Sequence, residues 1–493
     1  MVAEGGLWIG SDGNYLNNFV IRKRCVMTNV ELHYKTIKDL ANLLQRREVS
    51  SLEITRDILK RIDDLDSNYK SYATVMSDEA MQAARRADDQ IGAGNYKGFL
   101  HGVPIAVKDL CFTNRVRTMG GSKVMENLVP TFDSTVVARL AGNGAVLLGK
   151  LNLTEGAMGG YNSAFDVPLN PWNTERWAGA SSSGSGVATA LGLCYGSLGS
   201  DTGGSIRFPA AACGTVGLKP TWGRVSRYGV LALAESLDHV GPLTRSSADA
   251  AIMLMAISGY DSYDPTTLSI PVEDILSDIG NGVKGIRIGL DEKYVKDGVD
   301  PELSRAVLES VTLLQSLGAD IVEIKMPDVD EYISFWRTLC AAEALSAHQT
   351  FYPARRDEYG PYFREWLDIG AEVRGIDYVE ANNQRNQCNG LIRLAMQGID
   401  VLVCPSTIGP AYPITTEQMY GPLDTNRDLS YQRFTVPYNY NGYPTLSVPC
   451  GLTKDGMPLS LQFVGHPLSE SLLCKVGQTY EHSTKHQLVH PIV

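Results

Sequence analysis

Residues 178–186 read AGASSSGSG and residues 199–228 read GSDTGGSIRFPAAACGTVGLKPTWGRVSRY. Between Gly179 and Ser205 the chain is mostly Gly, Ser, Ala and Thr, types that bury little area and let backbone groups approach one another or a ligand. Such a stretch is poor packing material. It reads as a site, with a turn-and-helix segment bringing its two serine clusters together.

Working outward, residues 101–110 read HGVPIAVKDL, and Val103, Ile105 and Val107 predict a strand that ends at Lys108. A lysine there is, taken alone, an ordinary snorkelling residue. Its meaning depends on what faces it. Further upstream, Ile37, Leu40, Ala41 and Leu44 predict a helix from Thr36, Ser50 with Glu53 forms a capping box ahead of a second, and 78–89 predicts a third. Residues 134–143 and 145–148 read as helix then strand, and 152–158 as a turn into helix. Gly159, Gly160, Pro168 and Pro171 then keep the chain irregular up to the serines.

Downstream, 246–258 reads as helix and 285–325 as a β-α-β unit whose helix starts at Asp300 and Pro301. That unit has neither G-x-G-x-x-G nor G-x-x-x-x-G-K-[ST], so it reads as scaffold and not as a nucleotide site. Residues 331–396 read as mainly helical and aromatic-rich, which suits either a core or a lid over a pocket. Strands are expected at 401–404, 445–448 and 459–464, and a closing helix at 469–482. The alternation is that of an α/β protein.

The 493 residues are 44% apolar and 20% charged, the usage of a globular chain with a sizeable core. A net charge of −11, with no basic run longer than Arg22-Lys23-Arg24, argues against a nucleic-acid surface. Nine cysteines without a C-x-x-C pair read as reduced thiols of a cytoplasmic protein. No apolar run is long enough to span a bilayer, and residues 1–25 lack the basic-then-apolar order of a signal peptide. Residues 1–33 read as a poorly ordered N-terminal extension.

Two common nucleophile arrangements are missing: there is no G-x-S-x-G elbow, and no histidine lies in the Ser/Gly stretch. His101 and His239 sit in apolar or turn contexts that suit structural histidines, and the eight histidines include no H-E-x-x-H, so no metal site is expected. Serines, glycines and Lys108 remain. A serine hydroxyl attacks only when a base takes its proton, and a desolvated neutral lysine is one such base.

The G-A-S-S at 179–182, GSDTGGSIR at 199–207, GLKPTWGRVSRYG at 217–229 and the upstream GVPIAVK ending at Lys108 resemble, in order and spacing, the motifs of the amidase signature family. The resemblance implies one catalytic domain over 34–493, with a central mixed β-sheet covered on both faces by helices and a variable helical segment near 331–396. It implies that Ser205 is the nucleophile, that Ser181, following a cis peptide bond, is the bridging residue, and that Lys108 is the base. Neutral Lys108 would take a proton from Ser181 as Ser181 takes one from Ser205, and the relay would return a proton to the departing amine. Backbone N–H groups of Thr202, Gly203, Gly204 and Ser205 are the expected oxyanion hole, kept clear of side chains by the glycines. Ser182, Asp201 and Arg207 are expected to support that loop, with plain turn chemistry an equal alternative. Met158, Gly159 and Gly160 are expected to shape the substrate pocket. Ala180 and Ser183 stand where the family commonly has glycine.

No cofactor is expected. The expected substrate is a small-molecule amide or carbamate, or an ester, with water as the acyl acceptor, no nucleic-acid partner, no membrane span, and room for a homodimer. A free-standing amidase and a glutamine-hydrolysing subunit of a tRNA-dependent amidotransferase both fit the motifs; a silent scaffold does not, because Lys108, Ser181 and Ser205 are all present. Amidotransferase subunits of the family usually carry an acidic substrate-holding residue just before a T-x-P-x-N-x-x-G-x-P stretch. Here that stretch, 435–444, follows Gln432 and Arg433, which favours the free-standing amidase.

Overall fold

The alternation at Val103–Val107 becomes a fully buried strand ending at Lys108, and ten further strands join it in one sheet. The computed structural model describes residues 29–424 and 429–493. In chain order the strands are β1 (Tyr72–Val75), β2 (Pro104–Lys108), β3 (Val146–Leu151), β4 (Gly196–Asp201), β5 (Val216–Lys219) and β6 (His239–Thr244). They continue with β7 (Arg287–Leu290), β8 (Asp320–Glu323), β9 (Val401–Pro405), β10 (Thr445–Leu452) and β11 (Pro458–Gly465). Across the sheet the order is β1-β3-β2-β4-β6-β5-β10-β11-β9-β7-β8. The trios β3-β2-β4 and β9-β7-β8 are parallel and the other pairings antiparallel, so the sheet is mixed, as expected.

The helices form where their end signals stand. Thr36 caps the helix Ile37–Gln45 by accepting from the Asp39 N–H, and Ile37, Leu40, Ala41 and Leu44 turn inward. The capping box closes at both bonds, with Glu53 N–H to Ser50 Oγ at 3.1 Å and Ser50 N–H to Glu53 Oε2 at 2.9 Å. The helix it starts, Ser51–Tyr69, is tied at its first turn to Asp88 of the helix Ser77–Gly92, whose carboxylate accepts from the N–H groups of Ser51 and Leu52. Asp300 caps Pro301–Ser316 in the same way.

Other expectations need correction. Residues 152–158 make only a short 3-10 turn, Glu155–Ala157, in which Gly156 has φ of +56°. The link between the two serine clusters is a helix, Ser183–Ala190, followed by β4, and not a turn and helix alone. Of the extension expected over 1–33, residues 1–28 lie outside the described residues. Asn29–Tyr34 is a 3-10 helix held by Tyr195 Oη donating to the Leu32 carbonyl at 2.9 Å and by Arg245 donating to the His33 carbonyl at 3.1 Å.

This topology places the site. Strands β2 and β4 are parallel neighbours with Ile105 opposite Gly196 and Val107 opposite Leu198. Their carboxyl ends therefore meet at one end of the sheet, the usual place for ligands in open α/β sheets. Lys108 ends one and the turn 202–205 follows the other. Among the described residues no helix is long and apolar enough to cross a membrane.

Candidate active site

Lys108 is 1% exposed, and its Nζ donates to Ser181 Oγ at 2.6 Å and to Ser200 Oγ at 2.9 Å. Burial draws its pKa down from 10.5 to about 7, against an opposing pull from Cys111, Asp201 and Asp238. Burial disfavours the charged ammonium because a low-dielectric interior solvates it poorly. Ser181 is fully buried and follows a cis bond from Ala180. The next residue staples the two serine clusters together. Ser182 Oγ donates to the Ser200 carbonyl and accepts from the Ser200 N–H, both at 3.2 Å, and the Ser182 N–H donates to the Ser205 carbonyl at 3.3 Å.

The turn after β4 is braced from below by a buried ion pair. Asp201 accepts from Arg207 Nη2 at 2.8 Å and Nε at 3.0 Å, and both side chains are fully buried. The same carboxylate takes the N–H groups of Gly204 at 2.8 Å and Ile206 at 3.0 Å, and Asn439 Nδ2 at 2.9 Å. Burial alone would raise the Asp201 pKa, but the Arg207 guanidinium and these donors hold it well below the usual carboxylate range. Arg207 also reaches the Thr435 carbonyl and Asn439 Oδ1, so residues 435–439 are locked to the turn. Ser182, Asp201 and Arg207 thus sit where loop supports would.

The four expected oxyanion donors are not equivalent. The Gly204 N–H is committed to Asp201, whereas no hydrogen bond takes up the N–H of Thr202, Gly203 or Ser205 among the described residues. Gly204 has φ of +129°, and a Cβ there would lie 2.5 Å from Phe208 Cε2. A Cβ on Gly203 would meet the ring of Trp336 at 2.7 Å. Both glycines are required by close approach.

Above the turn lies a cavity of about 90 Å³. Ser205, Thr202, Gly203 and Ala180 form its floor, and Met158, Gly159, Trp177 and Phe208 form part of its wall. Gly160 lies outside the lining and packs against Tyr362, where a Cβ would sit 2.5 Å from Tyr362 Cβ. The helices Asp330–His348 and Pro361–Glu372 close the cavity with Trp336, Tyr362 and Trp366. The aromatic segment is therefore both core and lid: Trp366 is 2% exposed, while Trp336 donates from Nε1 to the Thr202 carbonyl at 3.0 Å.

The Amidase family profile matches residues 53–474. This chain belongs to the amidase signature family. A Mycobacterium bovis protein that bears the amidase name AmiD is 42% identical over 459 residues, covering 93% of this chain and 96% of that one. The homologous chain of the glutamyl-tRNA(Gln) amidotransferase of Geobacter sp. strain M21 is 39% identical over 486 residues, covering 93% and 99%. Among solved structures, the peptide amidase of Stenotrophomonas maltophilia superposes with a TM-score of 0.80 at 31% identity, over 92% of this chain and 97% of that one. The chain is an amidase-family enzyme, of a family that hydrolyses amide C–N bonds.

Sequence reasoning did not place Arg337, Asp424, Tyr431 or Gln432 in the site, and all four line the amidase cavity. In the sequence, Gln432 stands out only for not being acidic. Its neighbour Arg433 turns away, donating to the Asp297 carbonyl at 2.7 Å and pairing with Asp330 at 3.3 Å. An acidic group nevertheless reaches the cavity, from Asp424. No pattern in the sequence marks Arg337 or Asp424, because each is a single charged residue in a segment with no motif.

Proposed function

We propose that this chain is a free-standing serine amidase that forms an acyl-enzyme on Ser205, with Ser181 as proton relay and Lys108 as base. The observation that carries this reading is the 2.6 Å contact between Lys108 Nζ and Ser181 Oγ in a site dry enough to bring the lysine pKa to about 7. Near neutral pH such an amine is largely able to accept a proton, as a general base must be.

Neutral Lys108 takes the Ser181 proton while Ser181 takes that of Ser205, and Ser205 Oγ bonds to the acyl carbon. Negative charge gathers on the acyl oxygen, where the N–H groups of Thr202, Gly203 and Ser205 receive it. Gly204 contributes through Asp201 by holding the turn in shape. The C–N bond breaks as the proton returns along the relay to the amine. Water then takes the amine's place and releases the acid. Carbamates and esters present the same acyl carbon and fall within this chemistry. Residues 34–493 act as one catalytic domain. A cytoplasmic location suits the eight described cysteines, all buried and unpaired.

The amidotransferase reading is favoured by the 39% identity to an amidotransferase chain and by Asp424 in the cavity. It stands second because the positions just before the 435–444 stretch are Gln432 and Arg433. The test of the first reading is Ser205→Ala, expected to abolish amide hydrolysis and to leave thermal unfolding unchanged. Mass spectrometry of the quenched wild type should find the acyl group on Ser205. Unchanged turnover by the variant would overturn the assignment.

A further inference from the structure

Arg337 lines the cavity beside Trp336, on the helix Asp330–His348. It is partly exposed and has no hydrogen bond, ion pair or ring contact among the described residues. Its neighbours one helical turn away are Ile333, Ser334, Cys340 and Ala341, so no acidic residue on its own helix faces it. The other charged lining residue, Asp424, is already engaged in an interaction of its own. Most of the remaining lining is apolar or aromatic, including Leu233, Trp336 and Trp366, with Gln432 a neutral polar member.

A guanidinium in such a place is a recognition group without its counterpart. Arginine stays charged at every working pH, and its planar fork of donors matches a carboxylate in two parallel bonds. Apolar walls limit the competition from water, so the pair would be worth more here than on an open surface. Trp336 fixes the helix against the floor through its bond to the Thr202 carbonyl. Arg337 is the next residue on that helix and lines the same cavity as Ser205.

We propose that Arg337 selects amides that carry a carboxylate, and binds that carboxylate in the cavity while Ser205 attacks the amide. This rests on the amidase reading above and names its substrate class. A charge-assisted pair of this kind corresponds to a preference of about 10- to 100-fold.

The experiment uses the full chain and amides in matched sets: an uncharged parent, and derivatives with a carboxylate on the acyl side or on the amine side. In the wild type, one carboxylated arm should exceed its parent in kcat/KM by about 10- to 100-fold. The position of the favoured arm assigns Arg337 to the acyl or the amine subsite. In Arg337→Gln that ratio should fall to near one, chiefly through KM, and Arg337→Lys should restore part of it. Arg337→Glu should shift the preference to amides bearing an ammonium group. Equal rates for charged and uncharged amides in the wild type, or a ratio unmoved by the three variants, would overturn the proposal while leaving the amidase reading intact. Failure to capture any acyl group on Ser205 would instead overturn the amidase reading and this proposal with it.

Discussion

The proposed mechanism makes Lys108 the base, a part it can play only because it is dry. In water its ammonium would stay protonated to about pH 10.4, and the relay would have nowhere to send a proton. Burial lowers that value to about 7, and Ser181 and Ser200 keep the amine oriented. The active form is the neutral one, so the sign is fixed: kcat/KM should fall with unit slope as pH drops below about 7 and level off above it. Lys108→Ala should lower kcat/KM by about 100- to 10,000-fold and remove that pH dependence. A wild-type profile that is flat from acid to alkaline pH would rule out Lys108 as the base. The sequence singled out Lys108, Ser181 and Ser205 because each lies in a motif, and the fold brings Lys108 Nζ within 2.6 Å of Ser181 Oγ. The unequal standing of Gly204 was not, since the four successive N–H groups look alike until Asp201 folds beneath one of them.

Elements were legible in proportion to how far their own residues, and not their neighbours, determine them. The capping box at Ser50 and Glu53 and the Asp300–Pro301 start announce helices from local chemistry alone. Strand β4 reads GSLGSD, without a β-branched residue, and owes its form to the strands on either side. Its glycines answer to tertiary contacts: a Cβ on Gly196 would lie 2.5 Å from Met253 Sδ, and one on Gly199 would lie 2.8 Å from Ser182 Oγ. No periodicity records such constraints. The turn that follows β4 is held by the Asp201–Arg207 pair, which joins that strand to the helix Arg207–Cys213 and to residues 435–439. Asp201→Asn would leave the guanidinium buried without its counter-charge, a change that typically costs about 3–5 kcal/mol. Urea unfolding should show that loss as a lower midpoint. Asn at 201 keeps one acceptor oxygen and puts a donating NH2 in place of the other, so it cannot serve Gly204, Ile206 and Arg207 together, and activity should fall as well. A midpoint equal to that of the wild type would show the brace to be dispensable.

At the scale of the whole molecule, the sheet gathers its site from segments far apart in sequence. Lys108 comes from β2, Ser181 and Ser205 from the two ends of a helix-and-strand link, and Thr435 and Asn439 from a segment near the C-terminus. The cavity above Ser205 is closed by the chain's own helices, Asp330–His348 and Pro361–Glu372. Every group to which the proposed mechanism gives the part of base, relay, nucleophile, oxyanion donor or lid is thus supplied by one polypeptide. A protein that must borrow part of its site from a partner should be silent alone, whereas a chain with this inventory should not. The purified chain by itself is therefore expected to hydrolyse simple aryl or alkyl amides, read by release of the amine, with no added protein and no glutamine. Turnover that appears only with glutamine and amidotransferase partner chains would select the second reading. Because Ser205→Ala is expected to abolish hydrolysis in either case, that comparison is decided by the dependence on partners and not by the nucleophile.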